Sequence, residues 1–373
     1  MKVLYAPHFE TNTYQRLLTE SVAANGIEPV LGHNALILPL TRQVIRDDID
    51  LVHLIWTNPF FIVKPIGNAR ILEGLSKVGT VGRAVLFIID LLILKLLGIG
   101  IVWTVHNKHN HERHHIRVDH SVSRILGRLA DTMTVECETA QETISEIFHI
   151  SREDQIRVIP EGNYIDAYPS DRDGTRVRET FSIDSNAFLY LFFGQIRKYK
   201  DVPGLISAFE DVEAPNAKLL IAGNPKTKRL ENEVRDAIEA VDTVEAELSF
   251  IPDNEIQDYM HAADVVVLPY RDIITSGSVL LAMSFGRAVI APQLGCIPTL
   301  INGSKALQYD PESTNGLTES MEWAFNHKET IDAIGQANYE RASELSWNEI
   351  GKVTVEVYEA VMEQQSLGVN ISA

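Results

Sequence analysis

The sequence predicts an α/β protein made of two successive doubly wound domains, each a parallel sheet with helices on its faces. Three observations predict this. The 373 residues exceed what one hydrophobic core usually supports, so two domains of roughly 150–200 residues are expected. Short apolar runs rich in Val, Ile and Leu, the mark of strands buried on both faces, alternate with helical patterns. The alternation breaks once, at a polar stretch, and then restarts.

In the first half the strand-like runs are Lys2–Tyr5, Asp50–Ile55, Ile101–Val105, Thr132–Val135 and Arg157–Ile159. Helical patterns cover Thr13–Ala24, Asp119–Leu129 and Thr139–Phe148. Asn25 and Gly26 close the first of these in the manner of a helix C-cap. Residues 161–186 are polar and contain Pro169 and Gly174, which suits a linker. In the second half the expected strands are Phe188–Phe193, Ala217–Ala222, Glu247–Phe250, Asp264–Leu268, Ala288–Ala291 and Ala306–Tyr309. Helices are expected at Val202–Asp211, Leu230–Ala240, Asn254–Ala262 and Gly277–Phe285, and a long one with an apolar face at Trp347–Met362. Such sheets bind ligands at the carboxyl ends of their strands, and two of them facing a cleft suit a two-substrate enzyme.

Composition narrows the function. Lys and Arg number 33 against 51 Asp and Glu, a net charge of -18, which argues against nucleic acid as a partner because phosphates require a basic footprint. The acid surplus either solubilises the chain or marks a high-salt cytoplasm. Cys137 and Cys296 lie far apart without a CxxC, which points to a reducing compartment. The opening Met1-Lys-Val-Leu-Tyr5 reads as a strand and not as a signal peptide, so the expected location is the cytoplasm. Residues 84–102 form an apolar run long enough to span a bilayer. Asp90 and Lys95 interrupt it and Gly98 and Gly100 break it. It reads as a helix over Arg83–Leu97, a glycine turn and a buried strand, with residues 84–97 a candidate for docking on the inner face of a membrane.

Chemistry concentrates at strand ends. The strand Phe188–Phe193 runs into Gly194, followed by Arg197 and Lys200. A glycine lets the backbone turn tightly. Two cations beside it suit a diphosphate, Arg as a hydrogen-bonding fork and Lys as a point charge. A second loop carries Thr275, Ser276, Gly277 and Ser278 into a helix. Free N–H groups and the helix dipole make such an N-terminus an anion site.

With the flanking Ala222-Gly223-Asn224 and the run Ala262 to Tyr270, this half resembles the donor domain of family 4-like glycosyltransferases of the GT-B type. Lys200, six residues after Gly194, matches the family lysine. Ala282-Met283-Ser-Phe-Gly286-Arg-Ala-Val289-Ile290-Ala291 matches the end of its donor helix, and Ser346-Trp-Asn-Glu-Ile350 its closing helix. The resemblance implies two Rossmann-like domains. The acceptor domain spans residues 1–165 and the donor domain 184–345, with helix 346–363 packing back on the first. Pro160-Glu161-Gly162 resembles the interdomain turn. The family also carries two glutamates seven residues apart, for the donor sugar and its ribose; Ile274 and Leu281 stand there instead. Gln195 replaces an arginine, and Asp201 a glycine. Asp272 is the candidate substitute for the sugar-binding carboxylate, and Ser278 for the ribose contact. These departures leave the stereochemistry open.

In the first half, His106 ends the strand Ile101–Val105. It matches the histidine that the family places near the donor's anomeric carbon. Six of the twelve histidines fall within residues 106–120. Asn107, His109 and Glu112 are candidate neighbours of His106 on the acceptor side, as is His8 in the first loop. A neutral imidazole can take a proton near pH 7, and a carboxylate can orient it. His111-Glu-Arg-His-His115 is an HExxH, which on a helix would hold zinc, but no apolar helical pattern surrounds it.

The resemblance implies an enzyme that moves a hexose from a nucleotide-diphosphate sugar to a glycan or lipid-linked acceptor, for surface polysaccharide or glycoprotein glycans. His106 and Asp272 would be catalytic. Gly194, Arg197, Lys200, Gly223 and residues 275–278 would hold the donor. No cofactor and no essential metal are expected. Two other readings stay open: an inactive partner protein of the same fold, and a zinc hydrolase using residues 111–115.

Overall fold

Twelve strands fall into two sheets of six in the computed structural model, which describes residues 1–33, 37–64, 70–110, 112–150, 152–301 and 307–371. The first sheet comprises β1 (Lys2–Ala6), β2 (Glu28–Leu31), β3 (Leu51–Leu54), β4 (Gly100–Thr104), β5 (Thr132–Val135) and β6 (Ile156–Val158), in the order β2-β1-β3-β4-β5-β6. The second comprises β7 (Phe188–Phe193), β8 (Ala217–Ala222), β9 (Val244–Glu247), β10 (Val265–Val267), β11 (Ala288–Pro292) and β12 (Gln308–Tyr309), in the order β12-β11-β10-β7-β8-β9. Neighbouring strands pair in parallel, for example Thr104 opposite Thr134 and Phe193 opposite Ala222. Parallel strands are covered on both faces, which is why β3, β4 and β7 are unbroken buried runs.

The chain forms two compact units, Met1–Gly162 with Trp347–Ala373, and Asn163–Ser346. In the first, the C-terminal helix Trp347–Ile371 lies against the helix Thr13–Ala24 and β4. Its Val355, Tyr358 and Val361 join Val3, Tyr5, Leu51 and Val102 in one core. Tyr358 also closes a buried polar chain. Its hydroxyl pairs with Tyr5 Oη at 2.8 Å and with His53 Nδ1 at 2.6 Å. His53 Nε2 then meets Thr104 Oγ1 at 2.7 Å. Burial drives the His53 pKa down to about 3, so this histidine is a neutral hydrogen-bonding link.

Several elements depart from the sequence reading. The edge strand β2 was not anticipated: EPVL is short and half exposed, so it lacks the continuous apolar run. β9 ends at Glu247, before Leu248-Ser-Phe250; Phe250, which suggested a strand there, is exposed. The polar stretch 163–186 is part of the second unit and not a free linker. Its Arg172 reaches Asp258 at 2.6 Å, and Arg178 donates to Ala262 O and Asp264. These two guanidinium groups tie the stretch to the second unit. Neither cysteine is a free thiol, contrary to the reduced state expected.

The apolar run belongs to a longer helix, Arg70–Leu96. Asp90 is fully buried because it caps another helix, accepting from Leu40 N at 3.0 Å and Thr41 N at 2.9 Å. Lys95 pairs with Asp131 at 2.6 Å. Both charges inside the run are therefore satisfied within the protein. Among the described residues no helix is long and apolar enough to cross a membrane. His111 lies outside the described residues. The remainder of the HExxH is a turn: His115 has φ 48°, a helix starts only at Ile116, and His115 Nε2 is bonded to Ser76 Oγ at 2.8 Å.

Candidate functional site

Strand order locates the second unit's site. The chain runs outward from β7 through β8 to β9, then returns to place β10 on the other side of β7. The loops after β7 and β10 therefore flank the switch point, where open parallel sheets leave a crevice at their carboxyl ends. These loops are the two that carry Gly194–Lys200 and residues 268–277. They are joined by Arg271 N donating to Tyr199 O at 2.8 Å and by an Arg271–Asp201 ion pair at 2.5 Å.

Gly194 has φ 117°, and Gly223, at the end of the neighbouring β8, has φ 157°. A Cβ on Gly223 would lie 2.0 Å from Gly194 O, so the two turns abut with no room for a side chain. A Cβ on Gly194 would lie 3.3 Å from both Lys200 Nζ and Ser278 Oγ. The ammonium, the hydroxyl and the glycine turn thus converge on one spot.

Lys200 is 7% exposed. Its ammonium lies 5.6 Å from the Tyr270 ring centroid and 6.0 Å from that of Phe192. No carboxylate pairs with it among the described residues. Burial, helped by the Arg197 charge, pushes its pKa down to about 8. A buried cation without a counter-charge is costly unless a ligand supplies one. Arg197 is half-buried, and its Nε donates to Gln195 Oε1 at 2.8 Å.

Ser276 is the N-cap of the helix Gly277–Ser284, its Oγ accepting from Val279 N at 3.3 Å and pairing with Tyr270 Oη at 2.9 Å. Its hydroxyl is thereby engaged, whereas Thr275 and Ser278 are half-buried at the same end. Asp272 lies in the loop before it. Ile274 and Leu281 are buried apolar residues, and Ile274 O accepts from Cys296 N at 2.7 Å. Asp201 takes the left-handed conformation with φ 44°, the conformation that a glycine adopts most easily.

In the first unit the strand ends gather aromatic and titratable groups. His106 follows β4 and Glu136 follows β5, each two residues beyond the register pair Thr104–Thr134. That offset makes them neighbours: His106 Nδ1 meets Glu136 Oε1 at 2.9 Å, and both side chains are under a tenth exposed. The imidazole stacks on Trp56 at 5.2 Å and 22°, and meets the edge of Tyr14 at 4.9 Å and 88°. His106 Nε2 is buried without a hydrogen-bond partner.

His106, Asn107 and His109 line one small pocket of about 30 Å³, together with Trp56, Trp103 and Asp119. His8 and Glu112 are not among its lining residues; His8 Nδ1 is buried without a partner in the loop after β1. The sequence reading missed Glu136 and Trp56 as partners of His106. The signal available was positional, since Glu136 directly follows β5 and Trp56 stands two residues beyond β3, both at the carboxyl ends of strands, as His106 does.

Residues 187–327 match the family described as glycosyl transferases group 1. The GDP-mannose:glycolipid 4-beta-D-mannosyltransferase of Xanthomonas campestris pv. campestris is 29% identical over 251 residues, 67% of this chain and 63% of that protein. The match therefore spans less than two thirds of the relative's length. Among solved structures, the Anabaena HepE complex with UDP and glucose superposes with a TM-score of 0.69 at 18% identity, covering 96% of this chain and 100% of that one. Sucrose-phosphate synthase from Thermosynechococcus elongatus does so at 0.74 and 16%, covering 97% and 99%. The second unit's switch-point loops thus lie within the residues that match glycosyl transferases group 1, and the chain has the GT-B fold of two doubly wound α/β units.

Proposed function

We propose that the chain is a glycosyltransferase moving a hexose-type sugar from a nucleotide-diphosphate sugar to a glycan or lipid-linked acceptor, in surface polysaccharide or glycoprotein glycan synthesis. One observation carries the reading: the buried, uncompensated Lys200 ammonium beside a glycine turn and the Ser278 hydroxyl. A nucleoside diphosphate supplies the negative charge that this pocket lacks. Lys200, Arg197 and the N–H groups at the start of the helix Gly277–Ser284 then stabilise it as it leaves, because positive charge and dipoles are already aimed at the developing anion. Asp272 is assigned to the sugar, and His106 to the acceptor hydroxyl. The relative named above takes GDP-mannose and a glycolipid, which supports the class of donor and acceptor.

The test is release of nucleoside diphosphate from UDP-glucose or GDP-mannose in the presence of alkyl glycoside acceptors. Acceptor-dependent release unaffected by EDTA is expected. Release only with a divalent ion would refute the metal-independent part, and no release with any donor would sink the reading.

A lipid-linked acceptor also accounts for the exposed face of the helix Arg70–Leu96. Leu75, Val78, Val85, Ile89, Leu92 and Leu96 recur at helical spacing and are between 41% and 87% exposed. A contiguous apolar face of this kind marks an interaction site. Residues 37–117 carry ten Lys and Arg against six Asp and Glu, a positive stretch in an acidic chain. Both features suit an anionic membrane surface. The protein is expected to float with anionic vesicles, and Val85→Asp with Ile89→Asp to abolish this. Unchanged flotation of the double variant would exclude this face.

A further inference from the structure

An anion site built on a lysine works only while no carboxylate of the chain itself neutralises that lysine. The sequence places Asp201 directly after Lys200, so the crevice carries its own competitor for the ligand. Adjacent Cα atoms lie about 3.8 Å apart, and a carboxylate there is within Coulombic reach of the ammonium. Whether the pocket stays open to a diphosphate depends on what Asp201 does instead.

The direction of Asp201 is not that of a helix cap. It stands at the N-cap of the helix Val202–Glu210, where an Asp side chain usually accepts from the first free N–H groups, yet it makes no side-chain cap bond. Its Oδ2 accepts from Arg271 Nε at 2.5 Å. Arg271 comes from the loop after β10. Its own backbone N–H donates to Tyr199 O at 2.8 Å, which ties it to the turn carrying Lys200 and Asp201. The pair is open to solvent, with side-chain exposures of 68% for Arg271 and 25% for Asp201, so it adds little to stability. Its consequence is electrostatic. Burial and the Arg197 charge act on Lys200, with no offset from the carboxylate next to it in sequence.

Resting on the nucleoside-diphosphate reading of this crevice, we infer that Arg271 is a positioning residue, which holds the Asp201 carboxylate away from Lys200 and so keeps the ammonium charge for the incoming diphosphate. In this role Arg271 acts through Asp201 and not by contact with the nucleotide. Released from Arg271, the carboxylate turns to Lys200, and a diphosphate must then displace it. The site lies wholly in the second unit.

The experiment titrates the full chain with UDP and GDP in EDTA, as wild type, as Arg271→Gln, and as Arg271→Gln with Asp201→Asn. The Cε resonance of 13C-labelled lysine, assigned with Lys200→Met, follows the titration of Lys200 in each. Arg271→Gln keeps the backbone bond to Tyr199 and removes the charge. It is expected to weaken diphosphate binding at least about tenfold. It should also move the Lys200 titration upward from about 8, by at least about one pH unit. Adding Asp201→Asn should bring binding back to within about threefold of the wild type and return the Lys200 titration to its wild-type position. Weakened binding that Asp201→Asn does not restore would mean that Arg271 touches the nucleotide or only staples the two loops, and would overturn the inference. Binding unchanged by Arg271→Gln, or a Lys200 titration that does not move, would overturn it as well. A folded wild type that binds neither nucleotide would sink the diphosphate reading, whereas the Lys200 titration separately decides whether Arg271 holds Asp201 away.

Discussion

Replacing Lys200 with methionine is expected to raise the stability of the nucleotide-free protein and to abolish its stabilisation by nucleoside diphosphates. Methionine keeps the length of the stem and its contact with Tyr270 and Phe192 while removing the charge. In the folded chain the ammonium is pushed down to about 8 by burial and Arg197. Against an ordinary lysine value near 10.5, this penalises the charged form by about 3 kcal/mol. The folded pKa lies below the unfolded one, so the penalty is fully present below pH 8. It fades as pH rises from 8 to about 10.5. The wild type should therefore gain stability over that window and Lys200→Met should not. Nucleotide binding restores the charge, so above pH 8 it must carry a proton onto Lys200. Affinity should then fall by up to about tenfold per pH unit. Thermal unfolding with and without UDP or GDP across pH 7–10 checks this. A less stable Lys200→Met variant that still responds to nucleotide would contradict it.

Gly223→Ala is the second large effect, expected to cost about 3 kcal/mol or more and to remove nucleotide binding. The new Cβ would lie 2.0 Å from Gly194 O and 2.8 Å from Gly194 C. Those are backbone atoms tied into the sheet, with Gly194 N donating to Ala222 O and Gly223 N to Glu247 O. Neither strand end can yield without losing ladder bonds, and φ 157° adds strain for any side chain. Relieving the clash would also displace Gly194 from Lys200 and Ser278. Denaturant unfolding is the check. A loss under about 1 kcal/mol would mean that the two turns are less constrained than their geometry indicates.

The sequence was most informative where a local pattern has a physical cause. Buried parallel strands read as apolar runs, and the runs at Thr132–Val135, Phe188–Phe193 and Ala217–Ala222 became strands with those bounds. Loops that follow strands and carry Gly, Arg, Lys and Ser identified both halves of the switch-point crevice. What local pattern could not convey was pairing across the sheet. Glu136 reads as a strand-end acid in sequence. Only the β4–β5 register makes it the partner of His106. The absence of a counter-charge at Lys200 is likewise invisible in sequence, because Asp201 stands beside it but turns to Arg271. The polar stretch 163–186 misled because composition does not distinguish a solvated charge from one such as Arg178, which satisfies backbone carbonyls at Ala262, Asp184 and Ala187.

The central claim is that the second unit's crevice is a diphosphate site built from this chain's own cations. Calorimetric titration of the wild-type protein with UDP, GDP and the corresponding monophosphates, in EDTA, tests it most directly. The predicted result is saturable binding of a diphosphate, preferred over its monophosphate and weakened at least about tenfold by Arg197→Ala, since a lost charge-assisted contact is worth about 1.5–3 kcal/mol. A folded protein that binds no nucleoside diphosphate, or binds one with Arg197→Ala and Lys200→Met indistinguishable from wild type, would contradict it.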